Sequence, residues 1–348
     1  MKTQGTGHHP ERIKAEHSRW AISGRDGSQN RPQAPRKAVP ARNGHALKIA
    51  ALALQLSVLP VLAERKFQWD TTTTNQVALR CGGADVWRFH FDPAKEAKPF
   101  FDPVCVAGGP SLTWARPPDH AWHYGLWFSW KYINGVNYWE ERGGKSPGET
   151  FWTAPEIERH DDGSAVIVCG LGYRTGATNE PVLKERRTIA ISAPDASGAY
   201  RMDWTLVLTA GDQTVTLHAP GGYTGLSVRF AEAFSNVETV VSSVGRVPHP
   251  QNRLDVTGAA ADQNGLIAGH PYGIAMILHP DNPRAPGDWF VVDRPQVPFH
   301  YLNASFPMRD PHTLRPNETL TIRYRVCVHP GRWDNRTLRT KITAWLSP

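Results

Sequence analysis

Long apolar runs are almost missing from this sequence. After residue 63 no stretch approaches the about 18 apolar residues that a spanning helix needs, so the body offers no helical membrane anchor and calls for no integral membrane partner. Cysteine is scarce as well. The four residues Cys81, Cys105, Cys169 and Cys327 show no C-x-x-C spacing, which argues against a cysteine zinc site. Also missing is a charge excess in the body. The chain carries 39 Lys and Arg against 32 Asp and Glu, but residues 1–48 hold ten of the former and three of the latter, and residues 49–348 hold 29 of each. A charge-driven nucleic-acid partner is thereby excluded for the body. There is no P-loop, no G-x-S-x-G, no H-E-x-x-H and no G-x-G-x-x-G opening a helix, and no internal repeat of the kind a propeller shows.

The chain does have 30 Gly, 29 Pro and a high aromatic content, with 13 Trp, 12 Phe and 9 Tyr. Its front end reads in two parts. Residues 1–48 are basic and polar and cannot bury enough surface to fold alone. Ile49–Ala63 is uncharged, follows Lys48 and ends in a small residue, the pattern of a secretory signal. The expectation is an exported protein, periplasmic or extracellular, with cleavage near Ala63 and a single domain over 64–348. A 48-residue basic region is long for a signal, so translation is expected to start near Val39. Export permits disulfides, although Cys169 lies in an apolar strand pattern that suits a buried thiol; the pairing stays open.

From residue 76 the period is two. In Thr319–Val328, Leu320, Ile322, Tyr324, Val326 and Val328 share one face while Arg323 and Arg325 share the other, as in a half-buried antiparallel strand. Further strands are expected at 85–91, 164–173, 186–193, 200–208, 213–218, 225–231, 237–243, 272–279 and 288–293, separated by turn sequences such as Asp161-Asp162-Gly163. Only 331–346 reads as helix, with Leu338, Ile342 and Trp345 as its apolar stripe. The fold class is therefore all-β: a large antiparallel β-sandwich with a short C-terminal helix.

Chemistry concentrates in residues 114–152, which hold six of the tryptophans. Indole faces that stack on sugar rings stand there among groups that bind hydroxyls: Arg116, Asp119, Trp127, Trp130, Lys131, Asn134, Asn137 and Trp139. Asp119-His120-Ala121-Trp122-His123 puts two imidazoles beside a carboxylate. They can serve as general acid or base with Asp119 fixing the tautomer, as ligands of a divalent metal, or as hydrogen-bonded loop residues. The sequence requires no cofactor. Gly125–Lys131 and Gly135–Glu141 read as a hairpin that returns Glu140 or Glu141 beside His123, with the two carboxylates on opposite faces.

These residues resemble a known family. Lys98-Pro-Phe-Phe-Asp-Pro103 and the run Leu112–Glu141, which contains D-H-x-x-H-x-G-L-W-F and N-G-V-x-[FY]-W, are similar to the bacterial PmoA-like proteins, often labelled methane oxygenase PmoA. Glu180–Leu183 with Glu185-Arg186, Gly221–Phe230, Gly273–Pro280 with Asn282-Pro283, and Arg323–Gly331 extend the match, which covers about residues 76 to 340. The resemblance implies an exported sandwich like the galactose-mutarotase folds, whose sites use a His acid and a Glu base. It gives His120 and His123 the imidazole role and Glu140 or Glu141 the carboxylate role. The methane monooxygenase subunit of similar name is a multi-span membrane protein, which this chain is not built to be. Two departures stand out: Leu278 where many members have Asp, and Tyr124 where many have Arg or His. The function expected is acid–base chemistry on a carbohydrate or glycoside. The alternatives are a non-catalytic carbohydrate-binding protein and a metal-dependent oxygenase using His120 and His123. The partner expected is a small molecule or oligosaccharide.

Overall fold

Alternation along the strands sorts the side chains onto two faces, and the apolar faces meet. In a computed structural model the chain is described over residues 66–176, 180–247 and 254–347. The leader and the apolar segment expected at 49–63, with the start and cleavage sites assigned to them, lie outside the described residues. No helix among the described residues is long and apolar enough to cross a membrane.

Nine antiparallel strands form one sheet, in the order Phe67–Asp70, Gln76–Cys81, Ala84–His90, Phe100–Val104, Leu126–Ser129, Gly225–Arg229, Phe299–Ala304, Gly287–Arg294 and Leu254–Gly258. A ten-stranded sheet faces it, with Thr319–Pro330 paired between His270–Leu278 and Tyr200–Ala210. The main core takes Trp87, Phe101, Phe128 and Val228 from the first sheet and Ile167, Leu206, Met276 and Val326 from the second. This is the expected antiparallel sandwich. A small four-stranded sheet contains the hairpin Tyr132–Ile133 with Val136–Asn137. The turn falls at Asn134-Gly135 as the sequence indicates, but it joins only Tyr132–Ile133 to Val136–Asn137; the expected arm Gly125–Lys131 instead supplies Leu126–Ser129, which pairs with Phe100–Val104 and Gly225–Arg229.

Helix Asn335–Leu346 starts four residues later than its sequence pattern, because the Asp334 side chain caps it by accepting from the Thr337 N–H. Leu338 is buried, with Ile342 and Trp345 packed beside it over the ten-stranded sheet. The four cysteines are free thiols; burial pushes Cys105 and Cys327 up to about 12 and Cys169 up to about 11.

What matters for function is that the nine-stranded sheet is apolar on its outer face too. In Leu126–Ser129, Leu126 and Phe128 enter the main core, while Trp127 points the other way into a cluster with Phe100, Tyr124, Trp139, Phe290, Val292, Phe299 and Tyr301. A sheet buried on both faces needs a cover. Residues 115–124 and 138–141 provide it.

Candidate functional site

The covering loop is held by its own backbone. Ala115 bridges Tyr124, the Arg116 N–H donates to the His123 carbonyl at 2.6 Å, and the His123 N–H donates to the His120 carbonyl at 2.9 Å. The loop re-enters the sheet at Gly125, which has φ 77°. A Cβ there would stand 2.6 Å from the Phe101 carbonyl oxygen, so both backbone angle and space demand glycine. This return drops His123 onto the outer aromatic layer.

His123 is 0% exposed, and neither ring nitrogen has a hydrogen-bond partner among the described residues. Aromatic rings surround it, with Tyr301 stacked at 5.1 Å, Trp127 at 5.1 Å, Phe299 at 6.0 Å, Tyr223 at 6.2 Å and Trp139 at 6.4 Å. Burial, reinforced by the neighbouring His120, Arg229 and Lys98, holds its pKa well below the ordinary 6.5, so the imidazole is neutral. His120 lies 4.6 Å away, ring to ring, and is half-buried. Its Nδ1 meets the Asp119 carboxylate at 3.0 Å, an arrangement that places the proton on Nδ1 and leaves Nε2 as the reactive edge. Burial lowers its pKa and outweighs the opposing pull of Asp119.

Asp119 also receives Arg229, whose Nη2 reaches its two oxygens at 3.0 and 2.9 Å. Arg229 is 1% exposed and lies 4.0 Å from the Phe299 ring. Burial would raise the Asp119 carboxyl, but the Arg229 charge and the His120 hydrogen bond bring it below the usual range. The result is a chain Arg229–Asp119–His120, with His123 against it.

The two carboxylates that follow the hairpin part company where the chain turns, with Asn137 Oδ1 accepting from the Trp139 and Glu140 N–H groups. Glu141 turns inward. Both its oxygens accept from the Tyr124 hydroxyl at 2.6 and 2.7 Å, and Lys98 Nζ stands 3.2 Å away. Lys98 is fully buried and also donates to the Trp139 carbonyl at 3.0 Å; burial lowers its pKa against the pull of Glu141. Glu140 keeps an open side, with a side chain 33% exposed against 3% for Glu141. It accepts from Lys131 and Asn137, and these bonds overcome its burial to hold its pKa low. No hydrogen bond joins either Glu to His123 among the described residues. Arg116 pairs with Glu96 at 2.6 Å and lies over the Tyr124 ring.

Trp127 and Trp139 line the nest around His123, whereas Trp130 enters the main core against Phe128, because it falls on the opposite face of the strand from Trp127. Asn134 is not brought to the cluster either. It holds the hairpin tip, donating to the Thr214 carbonyl and accepting from the Thr216 N–H. The residues not singled out from sequence are Lys98, Tyr223, Arg229, Phe299 and Tyr301. The last two lie in the strand Phe299–Ala304, which is buried along its whole length and mixes apolar with polar residues on each face, so it carries no period-two signal in the sequence. Among the described residues no three His, Cys, Asp or Glu side chains gather as a metal centre would require.

The model of the Family of unknown function (DUF6807) matches residues 76–343. The chain belongs to that family. The matched span includes every residue of the cluster just described. No curated protein matches the chain. Among solved structures, this DUF6807 chain is similar to a GH36 alpha-galactosidase from Geobacillus stearothermophilus, with 12% identity, a TM-score of 0.44 and coverage of 76% of this chain and 40% of that one. An alpha-galactosidase from Lactobacillus brevis gives 10% identity, a TM-score of 0.39 and coverage of 76% and 38%. A Klebsiella pneumoniae protein provisionally assigned as an aldose 1-epimerase gives 7% identity, a TM-score of 0.43 and coverage of 77% and 83%. The chain spans about 40% of the length of these galactosidases.

Proposed function

We propose that this DUF6807 protein is exported and acts on a carbohydrate or glycoside by acid–base chemistry at the outer face of the nine-stranded sheet. The observation that carries this reading is the Asp119–His120–His123 cluster. An imidazole oriented by Asp119 through Nδ1 stands against a second, buried imidazole that has no hydrogen-bond partner among the described residues. Burying an imidazole with neither nitrogen bonded costs stability, and such a cost is characteristic of sites kept for chemistry. The half-buried rings of Trp122 and Tyr223, packed on the buried cluster, suit the C–H faces of a sugar, and the polar rim of Glu140, Lys131 and Asn137 suits its hydroxyls.

Roles follow from the geometry. His120 is the proton donor or acceptor, with Asp119 fixing its tautomer and Arg229 fixing Asp119. Glu140, ionised and partly open, is the carboxylate partner, and Glu141 is the wall behind Tyr124. The PmoA-like resemblance agrees with this assignment of the His pair, and we extend it only that far.

The test is a panel of glycosides and free sugars followed by NMR. His120→Asn keeps a polar side chain next to Asp119 and is expected to lower turnover by about 100-fold or more while sugar binding persists. A wild type that binds sugars and converts none makes the protein a non-catalytic carbohydrate-binding module. Turnover that His120→Asn leaves unchanged removes the imidazole from the mechanism.

A further inference from the structure

The Phe299 ring is a meeting point for positive charge. Arg229 lies 4.0 Å from its centroid and Arg294 5.9 Å, with His120 at 4.9 Å and His123 at 6.0 Å. Against these two guanidinium groups stands one carboxylate, Asp119, which His120 shares. Arg229 spends Nη2 on Asp119 and on the Pro298 carbonyl at 3.4 Å, and its Nε and Nη1 have no hydrogen-bond partner among the described residues. Arg294 is exposed and has no carboxylate partner among the described residues. Both imidazoles are neutral, so they add nothing to the balance. One positive charge is left over beside the free edge of His120.

We propose that the site takes an anionic sugar, whose carboxylate or sulfate group is met by Arg294 and by the field of Arg229 while its ring lies against the half-buried Trp122 and Tyr223 at the rim of the buried aromatic cluster. This deepens the carbohydrate reading above and rests on it. A neutral sugar would leave the surplus charge unmatched. A carboxylate or sulfate matches it, and a planar guanidinium binds either with paired hydrogen bonds. Overall charge in the body is balanced, so this preference belongs to the site and not to the surface as a whole.

The test is titration calorimetry of wild type and Arg294→Gln with three sugars, a uronate oligosaccharide, its neutral counterpart and the neutral sugar carrying a sulfate ester, and with inorganic sulfate. Arg294 is exposed, and an unchanged thermal midpoint will confirm that the variant is folded. The wild type is expected to bind one of the acidic ligands at least about tenfold more tightly than the neutral one, with added salt weakening only the acidic ligand. Arg294→Gln is expected to abolish that preference. The uronate and sulfate arms show which anion the site reads. Equal or tighter binding of the neutral sugar overturns the proposal and leaves the carbohydrate reading standing, as does a preference that survives Arg294→Gln. If inorganic sulfate binds as tightly as the acidic sugar, the site holds an anion and not a sugar, and the proposal falls. If none of the three sugars binds, the carbohydrate reading fails and takes this proposal with it.

Discussion

Replacing His123 with Phe separates chemistry from packing. The imidazole is wholly buried and nothing among the described residues bonds to its nitrogens, so the fold gains nothing from its polarity. Removing buried, unpaired polar atoms returns about 1–3 kcal/mol. Fitting the larger ring among Trp127, Tyr301 and Phe299 costs about 1–3 kcal/mol. These cancel to first order, and His123→Phe should unfold within a few degrees of wild type near about pH 8. The difference appears in acid. Native His123 stays neutral below its ordinary 6.5, whereas the unfolded chain takes up a proton there. Stability is therefore fully present above about 6.5 and falls as the pH falls, by about 1.4 kcal/mol per unit while the native imidazole remains neutral. Between pH 6.5 and about 5 that amounts to about 2 kcal/mol, or about 4–8 °C in the midpoint, which the variant does not lose. His90, His120 and His312 are also depressed by burial, but they are common to both proteins and drop out of the difference. Thermal unfolding followed by circular dichroism at three pH values measures the gap, and turnover measured beside it should vanish. Parallel curves, with the variant several degrees lower throughout, would refute the reasoning. They would mean that the imidazole is a bonded structural element.

Two further outcomes probe the frame around the site. Lys98→Met strips the buried Glu141 carboxylate of its cation and should cost about 3 kcal/mol or more, read as a lowered denaturation midpoint; a change under about 1 kcal/mol would show that Tyr124 and Arg116 suffice. Gly125→Ala forces a Cβ to 2.6 Å from the Phe101 carbonyl at φ 77° and should cost at least about 1–2 kcal/mol, with sugar binding lost as the loop lifts; unchanged stability and binding would show that the return of the loop is not what seats His123.

Much of this fold can be read in the residues because most of its strands are half-buried and alternate cleanly. Tyr200–Ala210 and Thr319–Pro330 pair from Tyr200 with Val328 to Thr209 with Thr319, and both show the period in sequence. Ala260–Ile267 does not. Asp262, Gln263 and Asn264 are buried in a strand whose sequence reads as a polar loop. They are accommodated by bonds that sequence spacing does not display, such as Asp262 to His329 at 3.2 Å and Asn264 to Asp262 at 2.8 Å.

The candidate site divides along the same line. Asp119, His120, His123 and Glu140 lie within one contiguous segment, and their residue types alone suggest acid–base work. Their partners come from strands far along the chain, Arg229 and Phe299–Ala304, which reach the loop only because the order of the nine-stranded sheet sets Leu126–Ser129, Gly225–Arg229 and Phe299–Ala304 side by side. Trp130 shows the limit most plainly. It is three residues from Trp127 and of the same type, yet Trp127 touches His123 and Trp130 fills the opposite core. Composition nominated both, and the strand's alternation, read together with which face the loop covers, separates them. The turn that Asn137 Oδ1 closes after the hairpin makes Glu140 and Glu141 different kinds of carboxylate: one residue apart, the first is partly open and its pKa is held low, while the second is buried against Lys98 and Tyr124.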